Sequence, residues 1–556
     1  MKHFLIGAAL FVATVAITLA AAPSQGIHRD EAYYMNAGEQ YVTWWEHTLT
    51  GRLDAPLSDA SIRRYWDYNH EHPPLMKLAY GLAWRLFHRC ECAAEAVWHP
   101  GSARLARGER HVTIPLFDWE STAFRLPTIL CFGWLVVLVF RFYRAGLAGQ
   151  TPLPLVGALG AAILAAAQPR AFFHAQTASF DLPAATFWLA TTFAYWRALA
   201  SEHPRRAAIG VGLLYGLFLA TKLQSFFLPA ALGLHWLVLT LVRRRRGEPR
   251  PSFAPLVAMA TLGPLVLFAS WPWLWHDTFR RFGAYVGFHL THVHYNFEYL
   301  GTNYNTPPYP WHEPLGMLVF TAPVILLALA AAGIAILVRR APDPRGTRLL
   351  LLLAGFVPIG LFLYGRTPIF GETKHWLATM PILALCAGVA LQQIAAGLAE
   401  KVRFGRLVGA ALLVVAVAPA FVETARSHPY GLSHYNALAG GAPGGADLGL
   451  NRQFWGYSVA GLLPWLNREL PPDTPLYLHD WNHDAYLMYL RDGRLRPDIL
   501  DAGMEQPGVD ASRAALVILE KHFAKYEHMI WATYRKTQPA AVLTVDDVPL
   551  VPVYLR

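Results

Sequence analysis

Apolar runs that approach the length of a bilayer crossing recur through the first three quarters of the chain. They lie near 4–22, 123–140, 152–168, 182–196, 207–220, 226–242, 253–275, 314–338, 349–365, 376–399 and 407–422. Several fall short of the roughly 20 residues a span needs, and neighbours such as Thr221 and Trp376 extend them. The pattern predicts an α-helical polytopic membrane region over 1–422, with about eleven transmembrane helices. The segment between the first two runs, 23–122, is mostly polar. Within it, Pro74 to Phe87 is apolar with interspersed cations and suits a helix lying in the membrane interface. Other polar connections fall at 169–181, 221–225, 276–313 and 366–375. From 423 onward the pattern is that of soluble sequence. Short strands are expected at 475–479, 515–519 and 548–554, and helical pieces at 485–490 and 528–535, so 423–556 reads as a small α/β domain. No fixed-period repeat and no inverted pair of Gly/Pro-broken segments is evident.

Composition agrees with lipid as solvent: 54% of the 556 residues are hydrophobic and 15% charged, against about 25% charged in soluble domains. The net charge of +10 does not point to nucleic acid, because it is one-sided. With the N-terminus cytoplasmic, the inner segments carry 18 basic residues, Arg141, Arg144, Arg243 to Arg246, Arg339 and Arg340 among them, and four acidic ones. Their net +14 leaves −4 for the rest of the chain. That is the positive-inside pattern, and it puts 23–122, 276–313 and the C-terminal domain outside. The first run also resembles a cleavable signal, with small residues at Ala20 to Ala22; either reading leaves residue 23 onward outside. The expected location is a bacterial inner (plasma) membrane with an extracytoplasmic C-terminal domain. Four cysteines make no disulfide framework; Cys131 and Cys386 lie in apolar runs, and Cys90 and Cys92 beside His88 are too tightly spaced for a usual zinc pair.

The outer segments hold the candidate chemistry. His28-Arg29-Asp30-Glu31-Ala32-Tyr33-Tyr34 follows the first run. Its adjacent carboxylates offer a general base and a partner that tunes it, although Asp30 reads equally well as a helix cap. Asn69-His70-Glu71-His72-Pro73-Pro74 lies later in the same loop, Asp181 opens the fourth run, and Thr221-Lys222 occupies a short turn. Taken singly, Lys222 suits an interfacial anchor, Asp181 a cap, and His70 and His72 solvated loop positions. Together, acids and one lysine at a single interface suit a phosphate leaving group beside a base. Lys222 is the most telling, because it breaks the charge bias.

The order of these pieces resembles the GT-C superfamily, and within it the protein mannosyltransferase and lipid A aminoarabinose transferase group, glycosyltransferase family 39 and its relatives. The likeness rests on Asp30-Glu31-Ala32-Tyr33-Tyr34, His72-Pro73-Pro74-Leu75, Ala123-Phe124-Arg125-Leu126-Pro127, Asp181, Thr221-Lys222, Tyr435 to Gly441 and Phe454-Trp455-Gly456. The resemblance implies inverting transfer of a sugar from a polyprenyl-phosphate carrier, with Asp30 as base and Glu31 as its catalytic neighbour. Tyr34, Glu71, His72, Asp181 and Lys222 would contact substrate, Lys222 at the lipid phosphate, and Arg125 would anchor structure. The resemblance fixes no cofactor and leaves a divalent metal open, as in the aminoarabinose branch; Glu71, His72, His292 and His294 are its candidate ligands here. That branch has lysine where this chain has His72. The implied partners are the lipid-linked donor, membrane lipid, and a protein, lipid or glycan acceptor. No nucleotide-sugar loop or Gly-Lys-Ser/Thr motif is present, which suits a lipid-phosphate donor. The histidines and aromatics of 289–312 suit a cover over the sugar or an interfacial belt. Two other classes compete. A lipid or solute transporter or flippase would place ionisable groups near mid-bilayer, but 314–338, 349–365 and 376–396 contain no Asp, Glu, Lys or Arg. An envelope assembly scaffold would leave Asp30 and Lys222 dispensable.

Overall fold

The computed structural model describes residues 1–88, 114–149, 152–295, 297–340, 343–369, 371–401, 404–479, 483–520 and 523–556. Each of the eleven apolar runs coincides with helix: α1 Lys2–Ala21, then, beyond the first loop, α5 Glu120–Phe142, α6 Pro154–Ala166 with α7 Pro169–Ala175, α8 Asp181–Ala198, α9 Pro204–Leu219, α10 Leu228–Arg245, α11 Ala254–Ser270, α13 Glu313–Thr321 with α14 Val324–Arg339, α15 Thr347–Gly360, α16 Thr379–Ala399 and α17 Gly405–Ser427. The loop itself folds into α2 Arg29–Leu49, α3 Asp59–Trp66 and α4 Leu75–Phe87, and α12 Thr278–Leu290 follows α11.

Among the described residues, five helical stretches are long and apolar enough to cross a membrane unaided, or seven if each bent pair counts as one. The remaining runs are shorter or more polar helices held by their neighbours; α8 is buried on nearly every side. Two runs differ from straight spans. The 314–338 run bends by 117° between α13 and α14, and the 152–168 run continues into α7 through a 68° break. Pro323 and Pro169 stand at the breaks, where a missing N–H and fixed φ end one helix and start the next.

Arginine-bearing ends meet at one end of the bundle. Arg340 Nη1 donates to Leu147 O (3.3 Å), Arg243 Nη2 to Pro344 O (2.6 Å), and the Arg345 guanidinium lies 4.1 Å from the Trp196 ring centroid. Asp181 begins α8 at the opposite end from Trp196, and Lys222 precedes α10 at the opposite end from Arg243.

The predicted apolar helix of the first loop forms as α4, and it crosses α2 at closest range through two glycines. A Cβ on Gly81 would sit 2.1 Å from Gly38 O, and one on Gly38 would sit 2.4 Å from Lys77 O. Backbone cannot yield as a side-chain tip can. Gly81→Ala is therefore expected to destabilise the chain by about 1–3 kcal/mol, read as a lowered thermal midpoint of the detergent-solubilised protein.

Helix α17 runs on to Ser427, beyond the apolar run it contains, and Asn436 then pins the chain to the α13–α14 bend by donating from Nδ2 to Val319 O and Ala322 O (both 2.6 Å). The C-terminal domain carries a five-stranded sheet. After β1 Phe297–Tyr299 and β2 Thr302–Tyr304, a hairpin in the α12–α13 connection, come β3 Thr474–Leu478, β4 Ile499–Asp501, β5 Ala514–Leu516, β6 Ala541–Val545 and β7 Val548–Leu555, in spatial order β4-β3-β5-β7-β6. The three expected strands are β3, β5 and β7; β3 pairs in parallel with both β4 and β5, and β7 runs antiparallel to β5 and β6. Helix His483–Arg491 docks this domain on α2: Tyr68 Oη and Asn36 Nδ2 both donate to Asp484 Oδ2 (2.6 and 3.3 Å), and Ile27 N donates to Tyr489 Oη (2.6 Å).

Candidate active site

The first turn of α2 is fixed before any substrate arrives. His28 is the N-cap: its Nδ1 accepts from Glu31 N at 3.0 Å, and Glu31 Oε2 accepts in return from His28 N at 3.3 Å, a reciprocal capping box. Burial pushes His28 down to about 4, so it caps as the neutral ring. It stacks on Trp455 at 4.1 Å, and Arg29 N donates to Trp455 O at 2.9 Å. The reading of Asp30 as the cap is thus corrected; Asp30 stands in the first turn, where the helix dipole favours an anion.

Glu31, expected as the catalytic neighbour of Asp30, is buried in an ion pair and does not line the cavity. Arg125 Nε and Nη2 bind its two oxygens at 2.7 and 3.0 Å, and Ala178 N donates to Oε1 at 2.7 Å. The pair has no exposure, and Arg125 further clamps the carbonyls of Ala22, Gln25 and Gly26. With its oxygens committed and no access to solvent, Glu31 is a positioning residue. Glu31→Gln is expected to cost about 3 kcal/mol of stability, because it strands a buried guanidinium. The catalytic rate of whatever protein remains folded should change little. Thermal melts beside activity per folded molecule separate the two effects.

Asp30 faces a cavity of about 910 Å³ that Tyr34, Glu71, His72, Asp181 and Lys222 also line. All five expected substrate-contacting residues therefore converge on one space. Tyr34, one turn after Asp30, packs against Phe180 at 4.0 Å. Asn69, with φ of 55°, turns the loop so that its Nδ2 donates to Glu71 Oε1 at 2.6 Å, while buried Lys77 donates to Asn69 O (2.5 Å) and His72 O (2.8 Å). His72 sits against Tyr34, Phe180 and His289. Burial and the nearby lysines hold it well below the ordinary histidine range, so it is neutral and supplies no cation. At the start of α8, Asp181 Oδ1 accepts from Lys222 Nζ at 2.5 Å, and His174 Nδ1 lies 3.7 Å from Oδ2.

A second lysine stands in the site. Lys374 lines the same cavity, with Nζ 3.8 Å from Asp30 Oδ2 and 4.0 Å from the Trp455 ring centroid. Burial pushes it down to about 8, against the pull of Asp30 and Asp181. Burial alone would raise Asp30, but Lys374 and Arg29 overcome that and hold the carboxyl below its usual range. The signal was present in the sequence: Lys374, like Lys222, is a lysine in a segment that the charge bias places outside.

The four candidate metal ligands do not assemble. Glu71, His72 and His292 line the cavity, whereas His294 does not and lies near Tyr309. Among the described residues no three His, Cys, Asp or Glu side chains gather as a metal would need. Asp30, Asp181 and Glu71 are engaged with Lys374, Lys222 and Asn69 respectively. That donor set does not fit a divalent ion. His88 is buried at the end of α4, while Cys90 and Cys92 fall outside the described residues.

A bundle of membrane helices, a folded first loop carrying an acid at its start, and a cavity between that loop and a C-terminal α/β domain give the chain a fold similar to that of GT-C glycosyltransferases, and part of its sequence matches a family model. Residues 111–271 match the family model described as dolichyl-phosphate-mannose-protein mannosyltransferase. The fold is similar to that of ArnT from Cupriavidus metallidurans bound to undecaprenyl phosphate, at 16% identity and a TM-score of 0.51, covering 98% of this chain and 97% of that one. The apo state of the same protein aligns at 15% identity and a TM-score of 0.50, with the same coverage. No curated protein matches the chain by sequence.

Proposed function

We propose that the chain transfers a sugar from a polyprenyl-phosphate carrier to an acceptor hydroxyl on the extracytoplasmic face of a bacterial inner membrane. The observation that carries this reading is the convergence of Asp30, Asp181, Lys222 and Lys374 on one cavity at the end of the bundle opposite Arg243, Arg340 and Arg345. Two lysines beside two aspartates suit a phosphate next to a base, and the ArnT neighbour binds undecaprenyl phosphate.

The donor phosphate recruits Lys222 and Lys374. Once Lys374 turns from Asp30 to the phosphate, the largest cation opposing burial is withdrawn, Arg29 remains, and Asp30 becomes a stronger base. The acceptor hydroxyl gives its proton to Asp30 and its oxygen attacks the anomeric carbon. The bond from that carbon to the phosphate oxygen breaks, and polyprenyl phosphate departs with the electron pair, its charge matched by the two lysines. A single displacement inverts the anomeric configuration. Trp455 and Tyr34 line the cavity beside these groups and give it apolar wall. No step is routed through a metal.

The pH profile tests this coupling. The kcat/KM profile reports free enzyme, with Asp30 held low by Lys374, and kcat reports the donor complex, with Asp30 released. The acid limb of kcat is expected at higher pH than that of kcat/KM. The alkaline limb of kcat/KM should fall near pH 8, where Lys374 loses its proton, and Lys374→Arg should move it upward. Coincident acid limbs would show that donor binding leaves Asp30 untouched.

A further inference from the structure

The two lysine–aspartate pairs come from separate elements, yet one short helix reaches the surroundings of both. On α7, His174 lies 3.7 Å from Asp181, and Arg170, one turn earlier, has Nη1 2.7 Å from Glu372 Oε2. Residues four apart share a helix face, so α7 presents both groups to the same side. This is the helix set off by the 68° break after α6. Glu372 begins the turn Glu372–Trp376 that carries Lys374. The turn is entered through two left-handed residues, Gly371 at φ 75° and Glu372 at φ 45°, and a Cβ on Gly371 would meet Lys374 Cε at 2.7 Å. A non-glycine residue keeps such a conformation only where its surroundings enforce it. Here they do: the other oxygen of Glu372 accepts from Asn451 Nδ2 at 2.8 Å, and Tyr435 Oη donates to Asn451 O at 2.6 Å. Arg170 and Glu372 are almost wholly buried, and neither lines the cavity.

A buried ion pair is weak evidence for stability, since well-packed apolar residues usually do as well. This one, however, joins the element beneath the Asp181–Lys222 pair to the turn that bears Lys374. We propose that Arg170 and Glu372 are positioning residues that fix the separation of Lys222 and Lys374, so that one phosphate meets both. The inference rests on the phosphate-binding reading of the cavity.

The test is a double-mutant cycle on binding of polyprenyl phosphate to the detergent-solubilised full chain. Glu372→Gln keeps an acceptor for Asn451 and loses the charge that holds Arg170. It is expected to weaken binding about tenfold in the wild-type background and by less than about twofold in a Lys374→Ala background, because its effect passes through that lysine. Arg170→Lys, which keeps the charge and loses the geometry of the guanidinium, is expected to show the same dependence on background and serves if Glu372→Gln folds poorly. Equal weakening in both backgrounds would assign the pair to general structure and overturn the inference. A different result, wild type binding polyprenyl phosphate no better than the unphosphorylated alcohol, would remove the phosphate reading itself and the inference with it.

Discussion

Asp30→Asn is expected to slow sugar transfer by about 10²–10⁴-fold, the range removed with a general base, while leaving donor affinity and thermal stability close to wild type. The amide keeps the shape of the side chain and its place in the first turn of α2, which is secured by the His28–Glu31 capping box and by Arg125 without help from Asp30. Binding should hold or improve slightly, because the Asp30 carboxylate no longer competes with the phosphate for Lys374. This pattern is the reverse of that expected for Glu31→Gln, one residue along the chain, where stability falls and the rate per folded molecule does not. The pair of neighbouring variants therefore distinguishes a group that reacts from one that holds the reacting group in place.

Lys222→Ala is expected to lower kcat/KM by about 10²–10³-fold, the scale on which removal of one preorganised charge-stabilising group acts. Part of the measured loss will be structural. Asp181 has about 6% side-chain exposure and takes its short ion pair from Lys222, so removing the lysine leaves a nearly buried carboxylate without its ion-pair partner, with neutral His174 beside it and Lys374 acting from further off. The double variant Asp181→Asn/Lys222→Ala separates the contributions. It removes both charges together, so stability should return toward wild type while activity does not. Recovery of activity along with stability would mean that Lys222 serves Asp181 and not the donor. Measured against Lys374→Ala, the two lysines should be non-additive, since both act on one phosphate.

Much of this was legible in the primary structure. Apolar runs of bilayer length specify helices because no other backbone satisfies its own hydrogen bonds in lipid, and each run is helical. The sidedness of the arginines singled out Asp30, Glu71, Asp181 and Lys222 as groups of one face, and all four line one cavity. What could not be read depended on long-range pairing. Asp30 and Glu31 are adjacent and chemically alike, and only Arg125, 94 residues away, decides that Glu31 is consumed in structure. His28 outcompeted Asp30 as cap because Trp455, from beyond the last membrane helix, stacks on its ring. The breaks after α6 and α13 lie inside or beside runs whose hydropathy alone suggests straight spans; the prolines marked them, but the 68° and 117° bends are set by packing. Lys374 meets the same charge criterion as Lys222 but stands outside the order of motifs that carries the family resemblance.

The central claim is that a sugar–phosphate bond is broken in this cavity, and one measurement addresses it directly. The purified full chain is reconstituted with polyprenyl phosphate bearing a radiolabelled sugar, envelope extract is supplied as the acceptor source, and lipid, product and anomeric configuration are followed together. The account predicts that label leaves the lipid with inverted configuration, one polyprenyl phosphate appearing per sugar transferred, and that Asp30→Asn abolishes both. Passage of the intact sugar–lipid across the bilayer with no bond broken, or equal transfer by wild type and Asp30→Asn, would contradict it.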